Sequence, residues 1–171
     1  MGYSNLFVSN TGSTFSNAIN NSEVYETSSQ TFSIDYRYDS TFYPLISASL
    51  IYNNTYYTAT KVGSGNNVTF TATIDIPEVS NDMNKSFLWE VTRTNEDGDY
   101  IEYYPEAAGL YVNQTVRHIN MTKTCSGDTT VRTANFTTYS ESTLARLNNF
   151  TFDATIYYWL GSGSVKKNIS I

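Results

Sequence analysis

A chain of 171 residues, 40% of them apolar, is long enough to bury one large β core or two small ones without covalent staples. Its formal charge of −6, with ten scattered basic residues, leaves no basic stripe for nucleic acid, and a lone Cys125 rules out an intrachain disulfide framework and a cysteine-based zinc site. No apolar run approaches the ~20 residues that cross a bilayer, and the N-terminus lacks the basic and apolar regions of a signal peptide, so no membrane insertion is expected.

Fifteen Tyr, nine Phe and two Trp supply bulk that packs on pleated surfaces, while charged residues make up only 15% of the chain. Solubility must therefore rest on Ser, Thr and Asn. Residues 1–30 are rich in these and carry one compact apolar group, Leu6-Phe7-Val8, which predicts an extended N-terminal arm or a loosely held edge strand. From Thr31 to Tyr38 apolar and polar residues alternate, placing Phe32, Ile34, Tyr36 and Tyr38 on an inward face. Pro44 breaks the next connection. Ile46, Ala48, Leu50 and Tyr52 mark another strand, Asn53-Asn54 a turn tolerant of left-handed backbone, and Tyr56 to Val62 one return strand.

After the turn Gly63-Ser64-Gly65-Asn66 comes the clearest strand of the chain, Val68 to Ile76, with every second residue apolar and Pro77 ending it. Phe87, Trp89 and Val91 line one face of the following strand. Asn95-Glu96-Asp97-Gly98-Asp99 reads as a hairpin turn in which both central residues have positive φ, and Tyr100 to Tyr104 returns from it. Pro105 and Ala107-Ala108-Gly109 end that pairing before Leu110-Tyr111-Val112.

A second unit is expected from Asn113, with β-rich stretches at 115–124 and 131–138 and Cys125 as a small residue at a strand end. Ser140 is placed to cap a single helical turn over Ser142–Leu147, the sole helix candidate. Phe150, Phe152, Ala154, Ile156, Tyr158 and Leu160 form the longest alternating face, and Gly161-Ser162-Gly163-Ser164 turns into Val165, Lys167, Ile169 and Ile171. Asn67–Ile76 recurs as Asn149–Tyr158 with six of ten positions identical, which suggests an internal duplication. The second unit is then short by the strands that should follow its Phe150 repeat, and its open edge calls for a cover: the N-terminal arm, a neighbouring subunit's strand, or further domains. A single sandwich or jelly roll over 31–171 is the competing reading.

Residues able to carry chemistry are few. His118 is the only histidine, with no nucleophile motif near it. Glu90 and Glu102 are the best carboxylate pair for glycoside hydrolysis, expected to face each other across the Asp97-Gly98 hairpin on the outward face. Asn95, Asp97, Asp99 and Glu102 gather oxygen atoms as Ca2+ would require, without the glycine spacing of an EF-hand. No other cofactor is implied. Nine N-glycosylation triplets begin at Asn20, Asn53, Asn67, Asn84, Asn113, Asn120, Asn135, Asn149 and Asn168, about twice the number that composition alone gives. Paired aromatics at Tyr56-Tyr57, Tyr103-Tyr104 and Tyr157-Tyr158-Trp159 set a ring on each face of a strand, with Tyr57, Tyr103, Tyr157 and Trp159 the candidates for contact with a sugar or a partner subunit.

The strand order from Thr31 to about Val112, the Tyr52-Asn53-Asn54-Thr55-Tyr56 turn and Trp89 on a late strand resemble the immunoglobulin-like modules of surface and virion proteins. The inter-sheet cysteine pair of antibody domains is absent. The resemblance implies an all-β fold of tandem immunoglobulin-like (Greek-key) β-sandwich domains, an arm over 1–30, a first sandwich over 31–112 and a shorter β-domain over 113–171. It also implies a non-enzymatic structural subunit of an extracellular surface, such as a virion decoration, fibre, filament or layer, partnered by copies of itself or neighbouring subunits. A carbohydrate-binding adhesin is the alternative, and a glycoside hydrolase a third.

Overall fold

The computed structural model describes residues 12–105, 111–121, 137–148 and 153–170, and these contain twelve strands and no helix. Leu6-Phe7-Val8, Ala107-Ala108-Gly109, Cys125, Val131, Asn135, Asn149, Phe150 and Phe152 lie outside them, as does most of both β-rich stretches expected beyond Arg117. No helix among the described residues is long and apolar enough to cross a membrane.

The first sheet has four strands in the order β1 (Thr14–Ile19), β3 (Ser29–Arg37), β7 (Asn67–Asp75) and β6 (Thr60–Ser64). The second runs β2 (Glu23–Tyr25), β10 (Val112–Arg117), β8 (Met83–Asn95), β4 (Leu45–Tyr52) and β5 (Thr55–Thr58), with β9 (Gly98–Tyr104) also paired to β8. All pairings are antiparallel except that of β2 with β10. A separate hairpin joins β11 (Thr155–Tyr158) to β12 (Lys167–Ser170).

Alternation decides which side chains fill the space between the sheets. Phe32, Ile34 and Tyr36 of β3 and Val68, Phe70, Ala72 and Ile74 of β7 are buried from one side, and Ala48, Leu50 and Tyr52 of β4 and Phe87, Trp89 and Val91 of β8 from the other. Phe32 meets Phe87 edge-on with centroids 4.9 Å apart, a geometry that adds quadrupolar attraction to the buried area. Asn53 and Asn54 both take left-handed backbone (φ 48° and 65°) and close the β4–β5 hairpin.

Several expectations are corrected. The run from Tyr56 to Val62 is not one strand. It breaks at Ala59, so that β5 pairs with β4 in the second sheet while β6 crosses to β7 in the first. The hairpin forms, but its two central residues are Glu96-Asp97 and neither has positive φ; Gly98, which does, pairs with Asn95, and the Asp97 N–H donates to Asn95 Oδ1. Residues 141–147 make no helix: Leu144 is left-handed (φ 56°), and Tyr139 pairs with Arg146 across a tight reversal.

The segment expected as an arm or loose edge strand supplies an edge strand to each sheet, β1 and β2. The boundary expected at Val112–Asn113 falls inside β10, which pairs with β8. The recurring text meets two environments, a central sandwich strand in β7 and a two-stranded hairpin in β11.

β8 has thirteen residues, and one of its edges serves two partners, β9 beside Trp89–Asn95 and β10 beside Met83–Phe87. Uninterrupted pairing past Trp89↔Tyr104 would set Phe87 opposite position 106. It faces Val112, so the ladder resumes six residues late.

Parity along β8 gives a direct check. Phe87→Ala should cost about 3–5 kcal/mol in chemical denaturation, whereas Leu88→Ala, one residue along and facing outward, should cost less than about 1 kcal/mol.

Candidate functional site

The outer face of the second sheet follows from register. Tyr56 of β5 lies opposite Ile51 of β4, which lies opposite Leu88 of β8, and the next row runs Thr58, Ser49, Glu90, Tyr103. Ile101 of β9 sits opposite Thr92, and Leu45 of β4 opposite Thr94. Tyr56 is 62% exposed, Ile101 53% and Tyr103 44%, so rings and branched chains project from the outer face of the sheet. Partial burial, followed by the adjacent Glu90 carboxylate, raises the Tyr103 phenol above its ordinary range and keeps it a hydrogen-bond donor. The face is suited to stacking and apolar burial, with Glu90 as an acceptor within it.

Of the aromatic candidates, Tyr103 lies on this face, while Tyr57 points inward and packs against the core. Tyr56 is its outward neighbour. Tyr157 and Trp159 are exposed at the β11–β12 hairpin, where Lys166 Nζ lies 5.1 Å from the Trp159 ring centroid.

The carboxylate pair is overturned. Glu90 opposes Tyr103, and Glu102 opposes Val91, so the two acids lie on opposite faces of the sheet. Glu102 turns toward the interior, where it forms an ion pair with Arg93 and accepts hydrogen bonds from Tyr36 Oη and Ser13 Oγ. Arg93 in turn lies over the Tyr43 ring, 4.4 Å from its centroid.

The same parity separates the four proposed calcium ligands. Asp99, opposite Thr94, faces outward and accepts from Thr94 Oγ1, whereas Asn95 and Glu102 share the inward parity, with Asn95 Oδ1 accepting from Asp97 N–H and Glu102 paired to Arg93. No group of three His, Cys, Asp or Glu among the described residues is arranged to hold a metal ion.

Asn53, Asn67, Asn84, Asn113, Asn120 and Asn168 are exposed, Asn20 is half-buried, and Asn135 and Asn149 lie outside the described residues. Asn84 and Asn113 share the outer face of the second sheet at its β10 end, and the Asn53 N–H donates to Ser86 O beside them. Tyr103 and Ile101 lie far in sequence from any such triplet, whereas the Asn53-Asn54-Thr55 triplet directly precedes Tyr56.

Periodicity gave no sign of a buried charge cluster at the base of the sandwich. Glu26 is fully buried in the β2–β3 turn. Its carboxylate accepts from Val79 N–H (2.8 Å), Ile119 N–H (2.7 Å) and Lys167 Nζ (2.7 Å), and the Tyr158 hydroxyl lies 3.3 Å away. His118 Nδ1 lies 3.2 Å from Glu26 Oε1 and 2.8 Å from both Val79 O and Lys167 Nζ. Burial alone would raise the Glu26 pKa. The hydrogen bond from Lys167 and the two backbone donors outweigh it, and the carboxyl titrates below the usual range. Asp75 plays a similar part for the loop before β12, accepting from Ser162 N–H, Ser162 Oγ and Ser164 N–H. Gly161 has no room there for a side chain, since a Cβ would sit 2.8 Å from Ser29 N and Thr27 O. These contacts hold the hairpin to the sandwich and assign no reaction to it.

Compared with known proteins, the chain matches no family model and no curated sequence.

Glu26→Gln strands Lys167 without its counter-ion and should lower stability by about 3 kcal/mol at neutral pH. Because the folded-state pKa is depressed, the carboxylate's contribution is whole above the unfolded glutamate pKa and vanishes as pH falls through the folded value. Denaturant midpoints measured from pH 7 downward should therefore converge for the two proteins in acid.

Proposed function

We propose that the chain is a non-enzymatic structural module of an extracellular surface, a subunit of a virion decoration, fibre, filament or layer, that associates through its strand edges and the aromatic outer face of its second sheet. The observation that carries this reading is the outer-face patch of exposed Tyr56, Tyr103, Ile101 and Leu45 with half-buried Ile51 and Leu88 among them, bordered by β9, which is paired on one side only among the described residues. An apolar patch left exposed on one face of a soluble sandwich suits burial by a partner.

Strand order supports the immunoglobulin-like reading of residues 14–117. β1-β3-β7-β6 against β10-β8-β4-β5 follows the A-B-E-D and G-F-C-C′ order of a variable-type sandwich. Between the two strands that carry the inter-sheet disulfide in antibody domains, this chain packs Phe32 against Phe87. On this reading the sandwich takes in β10, and a second, shorter unit follows it and includes the β11–β12 hairpin. The exposed triplets fit a glycosylated surface protein.

Tyr157 and Trp159, 59% and 47% exposed, favour a second reading, a carbohydrate-binding adhesin, because exposed rings can stack on a sugar face. A glycan array without signal above background removes it.

For the leading reading, sedimentation velocity over a concentration series should show reversible association. Leu88→Glu should weaken it by about tenfold or more while leaving the melting temperature nearly unchanged, since the side chain faces outward. A wild-type chain that stays monomeric at the highest attainable concentration contradicts the proposal.

A further inference from the structure

Resting on the self-association reading above, we propose that two copies of the chain pair antiparallel along β9, about a two-fold axis at Ile101, so that the second sheet runs from one copy into the other. β9 is bonded on one side only among the described residues, to β8. A two-residue turn closes on a hydrogen-bonded pair, here Asn95↔Gly98. Alternation along an antiparallel ladder then makes Thr94↔Asp99, Thr92↔Ile101 and Glu90↔Tyr103 the wide pairs, so the backbone groups of Asp99, Ile101 and Tyr103 point away from β8. None of them has another backbone partner among the described residues.

The other edges are blunted. β1 is interrupted by a register shift between Ser16 and Ile19, with Asn17 left-handed, and β6 carries Lys61 and a left-handed Gly63. β2 has three residues, and β5, β11 and β12 have four each. β9 has seven, with no Pro, Lys or Arg and no bulge; its only charges are Asp99 and Glu102, and Glu102 is already neutralised by Arg93. No glycosylation triplet begins between Asn84 and Asn113, a span that contains the whole strand.

Register selects a second copy as the occupant. Centred on Ile101, the pairing sets Ile101 against its mate, Asp99 against Tyr103 and Tyr100 against Glu102, so each acid meets a phenol that can donate to it and no like charges meet. It also joins outward-pointing groups to outward-pointing groups along the whole strand. Moving the axis to Asp99 opposes two carboxylates, and moving it to Tyr103 draws Pro105, which has no N–H, into the ladder. A two-fold pairing of this kind closes on itself, which leaves the aromatic faces of both copies side by side on one continuous sheet.

The test uses the full chain in a Cys125→Ser background. Ile101→Cys should form a covalent dimer under mild oxidation, because directly opposed residues of a hydrogen-bonded pair have Cα atoms about 5.5 Å apart, within disulfide reach. Val62→Cys, at the centre of the β6 edge, should not. In parallel, Ile101→Lys, which opposes two ammonium groups across the axis, should weaken dimerisation by about tenfold while leaving the fold intact, since Ile101 is largely exposed. Association that persists unchanged in Ile101→Lys, or a cross-link at position 62 and not at 101, overturns the β9 pairing while leaving self-association standing. A wild-type chain that is monomeric at every concentration overturns both.

Discussion

Everything described depends on the parity of β8. Phe87, Trp89 and Val91 fill the space between the sheets, and a slip of one residue would expose all three together. Because β4, β9 and β10 are all registered against this strand, burial of its odd-numbered residues settles which side chains of three neighbours face water. Ile101 and Tyr103 turn out, Tyr104 and Glu102 turn in, and Gln114 of β10 reaches the buried Tyr52 hydroxyl. A single hydrophobic alternation thus fixes the aromatic outer face and directs the backbone groups of β9 that face away from β8.

The base of the molecule is organised by charge. Glu26 takes hydrogen bonds from the loop after β7, the segment after β10 and the last strand, and Asp75 holds the loop before that strand. Both clamps are carboxylates saturated by donors, and for the fully buried Glu26 that is the condition under which a buried charge ceases to be a liability. Apolar residues would bury at either place without fixing where the β11–β12 hairpin sits. The paired acid fixes it, because Lys167 has one position that satisfies Glu26 and Val79 O together.

Much of this was legible in the residues, for a simple reason. Strands half in water write their period into the chain, and alternation alone puts Phe32, Ile34, Tyr36, Val68, Phe70 and Trp89 on inward faces, where they are buried. Asn53-Asn54 announced a left-handed turn through local chemistry. What alternation cannot supply is the partner. Tyr56-Tyr57 puts one ring on each face in either register, and only pairing with β4 shows that Tyr56 is the outward one. The break at Ala59 is invisible because both halves of 55–64 have strand character and only the crossing between sheets divides them. Glu90 and Glu102 looked like cross-strand neighbours until the two-residue turn fixed an odd offset. Glu26, Lys167 and His118 come from segments far apart in the chain, and nothing local joins them.

On the proposed reading the module acts by contact, through its patterned face and the edge of β9. Residue-resolved amide hydrogen exchange, compared between dilute and concentrated protein, reads that contact most directly. The account predicts that protection rises with concentration at Asp99, Ile101 and Tyr103 and across the outer face of β5, β4 and β8, with the β11–β12 hairpin unchanged. Exchange independent of concentration everywhere, or protection gained only at the hairpin, would contradict it.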